Sequence, residues 1–96
     1  MPLPHNGLIK LAEECGELIQ AAMKRVTCPD EVHWDGSNQK TRLEDEIADV
    51  IAACHVVIDN FNLSNRRIDD RADLKRRLFR YWHNGGTETK LPEVIN

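Results

Sequence analysis

The sequence predicts an all-α fold: a small helical bundle of three main helices, completed by oligomerisation as a homodimer or homotetramer. Three observations predict it. Apolar residues recur at three- and four-residue spacing in three separate segments, no segment sustains two-residue alternation, and clusters of Pro, Gly, Asn and Ser fall between the periodic stretches. At 96 residues, one domain spanning 1–96 is expected. A chain of this size has a limited core of its own, so further burial against other subunits is expected as well.

In the first segment Leu8, Leu11, Cys15, Leu18, Ile19, Ala22 and Val26 carry the helical spacing. They predict a helix from His5 to about Val26, with Asn6 as its cap and Pro29 barring extension. The stretch TCPDEVHWDGSNQK, Thr27 to Lys40, combines Pro, Asp-Gly, Ser and Asn and reads as a loop. It is long for a connection between packed helices, and long loops are often functional. Leu43, Ile47, Val50, Ile51, Cys54, Ile58 and Phe61 define a second helix from about Thr41 to Asn60. Ser64 caps a third, which runs to about His83 and stops at Asn84, Gly85 and Gly86.

Composition narrows the function classes. The chain is 30% charged and 5% aromatic, with no apolar run of the length a membrane span needs. MPLPHNGLIK lacks the basic start and apolar core of a secretory signal. Cys15, Cys28 and Cys54 are odd in number and form no zinc-type pairing with His5, His33, His55 or His83, so a reduced cytoplasm is expected. The net charge of −3 argues against general nucleic-acid binding, although basic residues crowd between Arg66 and Arg80.

The chain writes one amphipathic sentence twice. LAEECGELIQAA, Leu11 to Ala22, is followed 32 residues later by LEDEIADVIAAC, Leu43 to Cys54. Leu11 matches Leu43, Glu14 matches Glu46, Glu17 matches Asp49, Ile19 matches Ile51 and Ala21 matches Ala53. With the apolar stripe of the first helix centred near Leu11, Cys15, Leu18 and Ala22, Glu14 falls roughly 90° and Glu17 roughly 150° to one side. Glu46 and Asp49 take the same angles beside Leu43, Ile47, Val50 and Cys54. An antiparallel pairing of the two helices can therefore gather two carboxylates from each. Four like charges in one cleft repel and ask for a cation. Oxygen-only ligands on rigid helices specify a hard ion, Mg²⁺ before Ca²⁺. A di-iron bundle would want Glu-x-x-His, which neither Glu14 nor Glu46 begins. Any single one of these acids reads equally as a solvated flank residue; two pairs in equal phase, each beside a small residue (Gly16, Ala48), do not. Glu13 and Asp45 point away from the stripe and read as surface residues first and accessory ligands second.

EECGE at Glu13–Glu17 followed by EIAD at Glu46–Asp49 resembles the EExxE…ExxD signature of the all-α nucleoside triphosphate pyrophosphohydrolases, and in particular the small MazG-like proteins. The resemblance covers Leu8 to about Asn60 and extends weakly through the third helix. It implies a dimer or a tetramer of dimers, bound Mg²⁺ or Mn²⁺, and hydrolysis of a (deoxy)nucleoside triphosphate, (d)NTP, to monophosphate and pyrophosphate. Carried over by position, it makes Glu14, Glu17, Glu46 and Asp49 the metal ligands. Metal-assisted attack on the α-phosphorus follows, with Glu14 or Glu46 orienting the water or accepting its proton. Many relatives have a longer helical lead before EExxE that contributes base contacts, whereas twelve residues precede Glu13 here. Base recognition is then expected from the N-terminal segment or a neighbouring subunit.

Further cations and aromatics join as substrate-binding residues. Lys24 and Arg25 close the first helix, where they suit the helix dipole and equally suit phosphate. His33 and Trp34 in the loop offer stacking area for a base, or a plug for the core. Lys75 sits within the stripe Ile68, Ala72, Phe79, Trp82, placed to snorkel or to reach a phosphate. The stacking area points to a purine such as dGTP, and Leu91, Val94 and Ile95 of the tail offer apolar contacts for a partner chain. Phosphoribosyl-ATP pyrophosphohydrolase is the nearest enzymatic alternative. A non-catalytic helical module, binding nucleic acid or an acidic partner through the third helix, is the alternative from another class.

Overall fold

The computed structural model describes residues 2–32 and 35–92. It is all-helical, with three main helices in the expected order: α1 (Leu8–Thr27), α2 (Gln39–Asn60) and α3 (Asn65–His83), preceded by a single 3-10 turn, Pro4–Gly7. Among the described residues the only β pairing is an isolated antiparallel bridge between Val32 and Asn38, inside the α1–α2 loop. No described helix is long and apolar enough to cross a membrane. The chain divides into two compact units, residues 1–63 and 64–96, each described below by itself.

The start of α1 differs from the sequence expectation. His5, Asn6 and Gly7 have φ of 51°, 56° and 95°, so the chain runs left-handed where a right-handed helix from His5 would need the opposite sign. The helix begins at Leu8 with Gly7 at the cap, and Asn6 contributes its carbonyl instead, accepting from Asn60 Nδ2 at 2.9 Å. Gly7 is required by space as well as by φ, since a Cβ there would lie 3.0 Å from Val56 Cγ1. At the other end, Cys28 N–H reaches the Lys24 carbonyl at 2.8 Å before Pro29 ends the turn.

Side-chain caps set the later helices, the expected one at Ser64 and a further one at Asn38. Asn38 Oδ1 accepts from Thr41 N–H at 2.9 Å at the start of α2, and Ser64 Oγ accepts from Arg67 N–H at 3.1 Å at the start of α3. α2 begins two residues ahead of the expected Thr41 because Gln39 is drawn inward. Gln39 is buried; its Nε2 donates to the carbonyls of Cys28 and Asp30 at 2.7 and 2.6 Å, and its own N–H to that of Glu31 at 2.7 Å. One side chain thus ties the loop to both helices. Gln39→Ala should leave two carbonyls without a partner and lower the unfolding free energy by about 2 kcal/mol, read from the urea midpoint.

α1 and α2 pack antiparallel. Asn6 meets Asn60 at one end of the pair and Cys28 meets Gln39 at the other. The buried apolar residues of these two helices are Ala21, Ala53 and Val57. The contact face is therefore rotated from the expected stripe toward Glu14 and Glu46: Ala21 is buried where Ala22 is exposed, and Ile19, Met23, Ile47 and Ile51 lie outward. Small residues explain the rotation, because alanines let two helices approach closely and larger side chains hold them apart. Carried along at equal rise, the end contacts set Ala21 level with Glu46 and Ala53 level with Glu14.

In the second unit Leu78 is buried, Phe79 and Trp82 have ring centroids 5.5 Å apart, and Trp82 Nε1 donates to the Glu88 carbonyl at 2.8 Å, tying the tail to α3. Asp73 accepts from Arg76 at 2.8 Å and pairs with Arg77 at 3.2 Å; these two arginines hold its carboxyl below the ordinary range. Arg66, Arg67, Arg76, Arg77 and Arg80 are all exposed, as the solvated outer face of a helix should be.

Candidate metal centre

Three of the four expected carboxylates converge. One oxygen each from Glu14, Glu17 and Glu46 lie within 4.8 Å of one another. The convergence follows from the register: Glu14 and Glu17 stand one turn apart on α1, and Glu46 enters from α2 at the level of Ala21. Asp49 stands one turn beyond Glu46 and lies outside that group of three, lining with Glu14 a cleft of about 340 Å³ on the same side of the helix pair.

Glu46 is the residue under most electrostatic pressure. It is half-buried, and its Oε2 is closed off from solvent with no hydrogen-bond partner. Its carboxyl is held above the ordinary glutamate range, first by burial and then by the charges of Glu17, Asp49 and Glu14, with Arg42 acting the other way. An acceptor removed from water without a donor is a cost that a bound cation would relieve. All the donors are carboxylate oxygens, a set that suits a hard divalent ion.

Lys10 is the contributor that the sequence pattern did not single out. Its Nζ lies 3.2 Å from Glu13 and 3.8 Å from Glu14, and the hydrogen bond to Glu13 raises its pKa. Its spacing of four residues before Glu14 was the available signal. Glu13 is exposed, as its angle on the helix requires, and serves as this lysine's partner.

The remaining expected site residues fall elsewhere. Lys24 Nζ is 3.8 Å from Asp35 in the loop, and Arg25 donates to the Pro29 carbonyl, so the last turn of α1 holds the loop with both heads. Lys24 still stands only about one turn past the level of Glu46. Lys75 is half-buried in the second unit, where it lines a cleft of about 410 Å³ with Arg71, Leu74, Leu78 and Lys90. Trp34 and its neighbour His33 lie outside the described residues, as do Val94 and Ile95 of the tail. The three cysteines are free and half-buried.

No family model, curated protein or solved structure gives a significant match to this chain.

Proposed function

We propose that this protein is a metal-dependent (deoxy)nucleoside triphosphate pyrophosphohydrolase, releasing pyrophosphate and a monophosphate by attack of water at the α-phosphorus. One observation carries the reading: three carboxylates from two helices meet within 4.8 Å, and one of their oxygens is buried without a partner. The MazG-like signature in Glu13–Glu17 and Glu46–Asp49 supports the same chemistry.

Glu14, Glu17 and Glu46 would hold Mg²⁺ or Mn²⁺, with Asp49 as the fourth carboxylate beside them. When bound, such an ion neutralises charge on the triphosphate and acidifies an attacking water. The chain's own groups do the rest. Glu46 or Glu14, facing each other from the two helices, would orient the attacking water or accept its proton. Lys10, beside Glu14, offers a cation for a phosphate oxygen, and Lys24 and Arg25 are further cations for the polyphosphate chain. A purine triphosphate such as dGTP is the proposed substrate.

The outward residues Ile19, Met23, Val26, Ile47 and Ile51, 47% to 72% exposed, support assembly into a dimer or tetramer through this apolar side of the helix pair. Sedimentation velocity is expected to give a dimer or larger species, and Ile51→Glu to shift it toward the monomer. Finding wild type monomeric at high concentration would remove the oligomer.

Activity is tested by a panel of ribo- and deoxynucleoside triphosphates with Mg²⁺ or Mn²⁺, with pyrophosphate and orthophosphate measured separately. Pyrophosphate with the monophosphate is the expected pair of products. Orthophosphate with a nucleoside diphosphate would refute attack at the α-phosphorus, and no turnover of any triphosphate would refute the enzyme.

A further inference from the structure

The cleft beside the carboxylates is built from two kinds of surface. At one end stand Glu14, Asp49 and the ammonium of Lys10; the rest of the wall is Leu3, Ala52, Ala53 and Val56, with Gly7 at its floor. Those five residues bring no side-chain donor or acceptor. The cleft's volume of about 340 Å³ lies within the range of pockets that hold small organic molecules, about 300–1,000 Å³. Leu3, just ahead of the left-handed turn at His5–Gly7, lines the cleft together with Ala52, Ala53 and Val56 of α2.

We infer that this cleft is the nucleoside subsite of the metal centre, and that it recognises sugar and base by fit against an apolar wall rather than by hydrogen bonds to the edge of the base. The inference rests on the pyrophosphohydrolase reading. A triphosphate held at the carboxylates has its α-phosphate, the one that carries the sugar, turned toward either the cleft or open solvent. Among the described residues, the cleft offers it apolar contact together with Lys10 at the junction. Ala52 sets the room available: it is exposed on α2, so a larger residue there fills the cleft without entering the contact between the helices. An apolar wall separates ligands by the size that fits, by about 10–200-fold for a methylene, and is nearly blind to exchange of edge groups.

The test compares binding of Mn²⁺, inorganic tripolyphosphate and dGTP to wild type and Ala52→Leu by calorimetry, with circular dichroism to check the helices. Wild type is expected to bind dGTP at least about tenfold tighter than tripolyphosphate, and dATP within about tenfold of dGTP. In Ala52→Leu the advantage of dGTP over tripolyphosphate should vanish while Mn²⁺ binds as in wild type. Leu3→Ala, altered outside the helices, should reduce the same advantage. If both variants bind Mn²⁺ and keep the full preference for dGTP, the subsite is overturned while the metal centre stands. If wild type binds no Mn²⁺, the metal reading falls, and the subsite with it.

Discussion

Glu46→Gln is expected to stabilise the metal-free protein and, in the same molecule, to abolish pyrophosphate release. The amide keeps the shape of the side chain but removes a charge that burial and three neighbouring carboxylates oppose. It also gives the buried Oε2 position a chance to donate to one of those carboxylates. The melting temperature without metal should therefore rise. Adding Mn²⁺ should raise the melting temperature of wild type, by preferential binding to the folded state, and leave that of the variant nearly unchanged. Turnover should fall by about a hundredfold or more, the scale of losing a general base or a ligand. Proton linkage supplies a second readout. Because burial and the neighbouring carboxylates raise the folded-state value for Glu46 above that of an ordinary glutamate, its contribution to stability is fully present below the ordinary glutamate range and is lost as pH rises through the raised value. Metal-free wild type should lose stability over that window, and Glu46→Gln should lack this component. A variant that melts as wild type does, with and without Mn²⁺, would show that Glu46 is not under the strain described.

Ala21→Leu is expected to cost about 1–3 kcal/mol of stability, the usual penalty for extra methylenes in a packed contact. Ala21 is 4% exposed on the face where α1 meets α2, and the register sets it level with Glu46. The larger side chain can be admitted only by separating the helices or displacing that glutamate. Mn²⁺ affinity should fall in step with stability. The neighbouring Ala22→Leu supplies the control, since Ala22 is exposed and leucine there should be nearly neutral. Equal effects from the two substitutions would contradict the packing face.

These two results would probe what the sequence conveys well and what it conveys badly. The number and order of helices, the cap at Ser64, and the common phase of the acids were all legible, because each depends on residues close in the chain. The face through which the helices meet was not. Periodicity points toward the largest apolar residues, Ile19 and Ile47 among them, whereas close approach is governed by the smallest, Ala21 and Ala53. The start of α1 was hidden for a similar reason. A left-handed run at His5–Gly7 is held by the Asn60 amide, more than fifty residues away, and no local pattern announces it. Gln39 was missed because its role comes from contacts across to the loop, and Lys10 because its pairing within α1 was announced only by its spacing to Glu14.

The antiparallel register has a consequence for reading variation in this chain. The register sets Ala21 level with Glu46 and Ala53 level with Glu14, so residues far apart in the sequence stand at one height of the helix pair. Substitutions within either pair should be non-additive, while the same changes made across the pairs should simply add. A smaller acid at position 46 would make a bulkier residue at 21 tolerable, and position 14 would relieve 53 in the same way. The two written halves of the site are thus free to drift only in step, each glutamate setting the size its opposite alanine is allowed to reach.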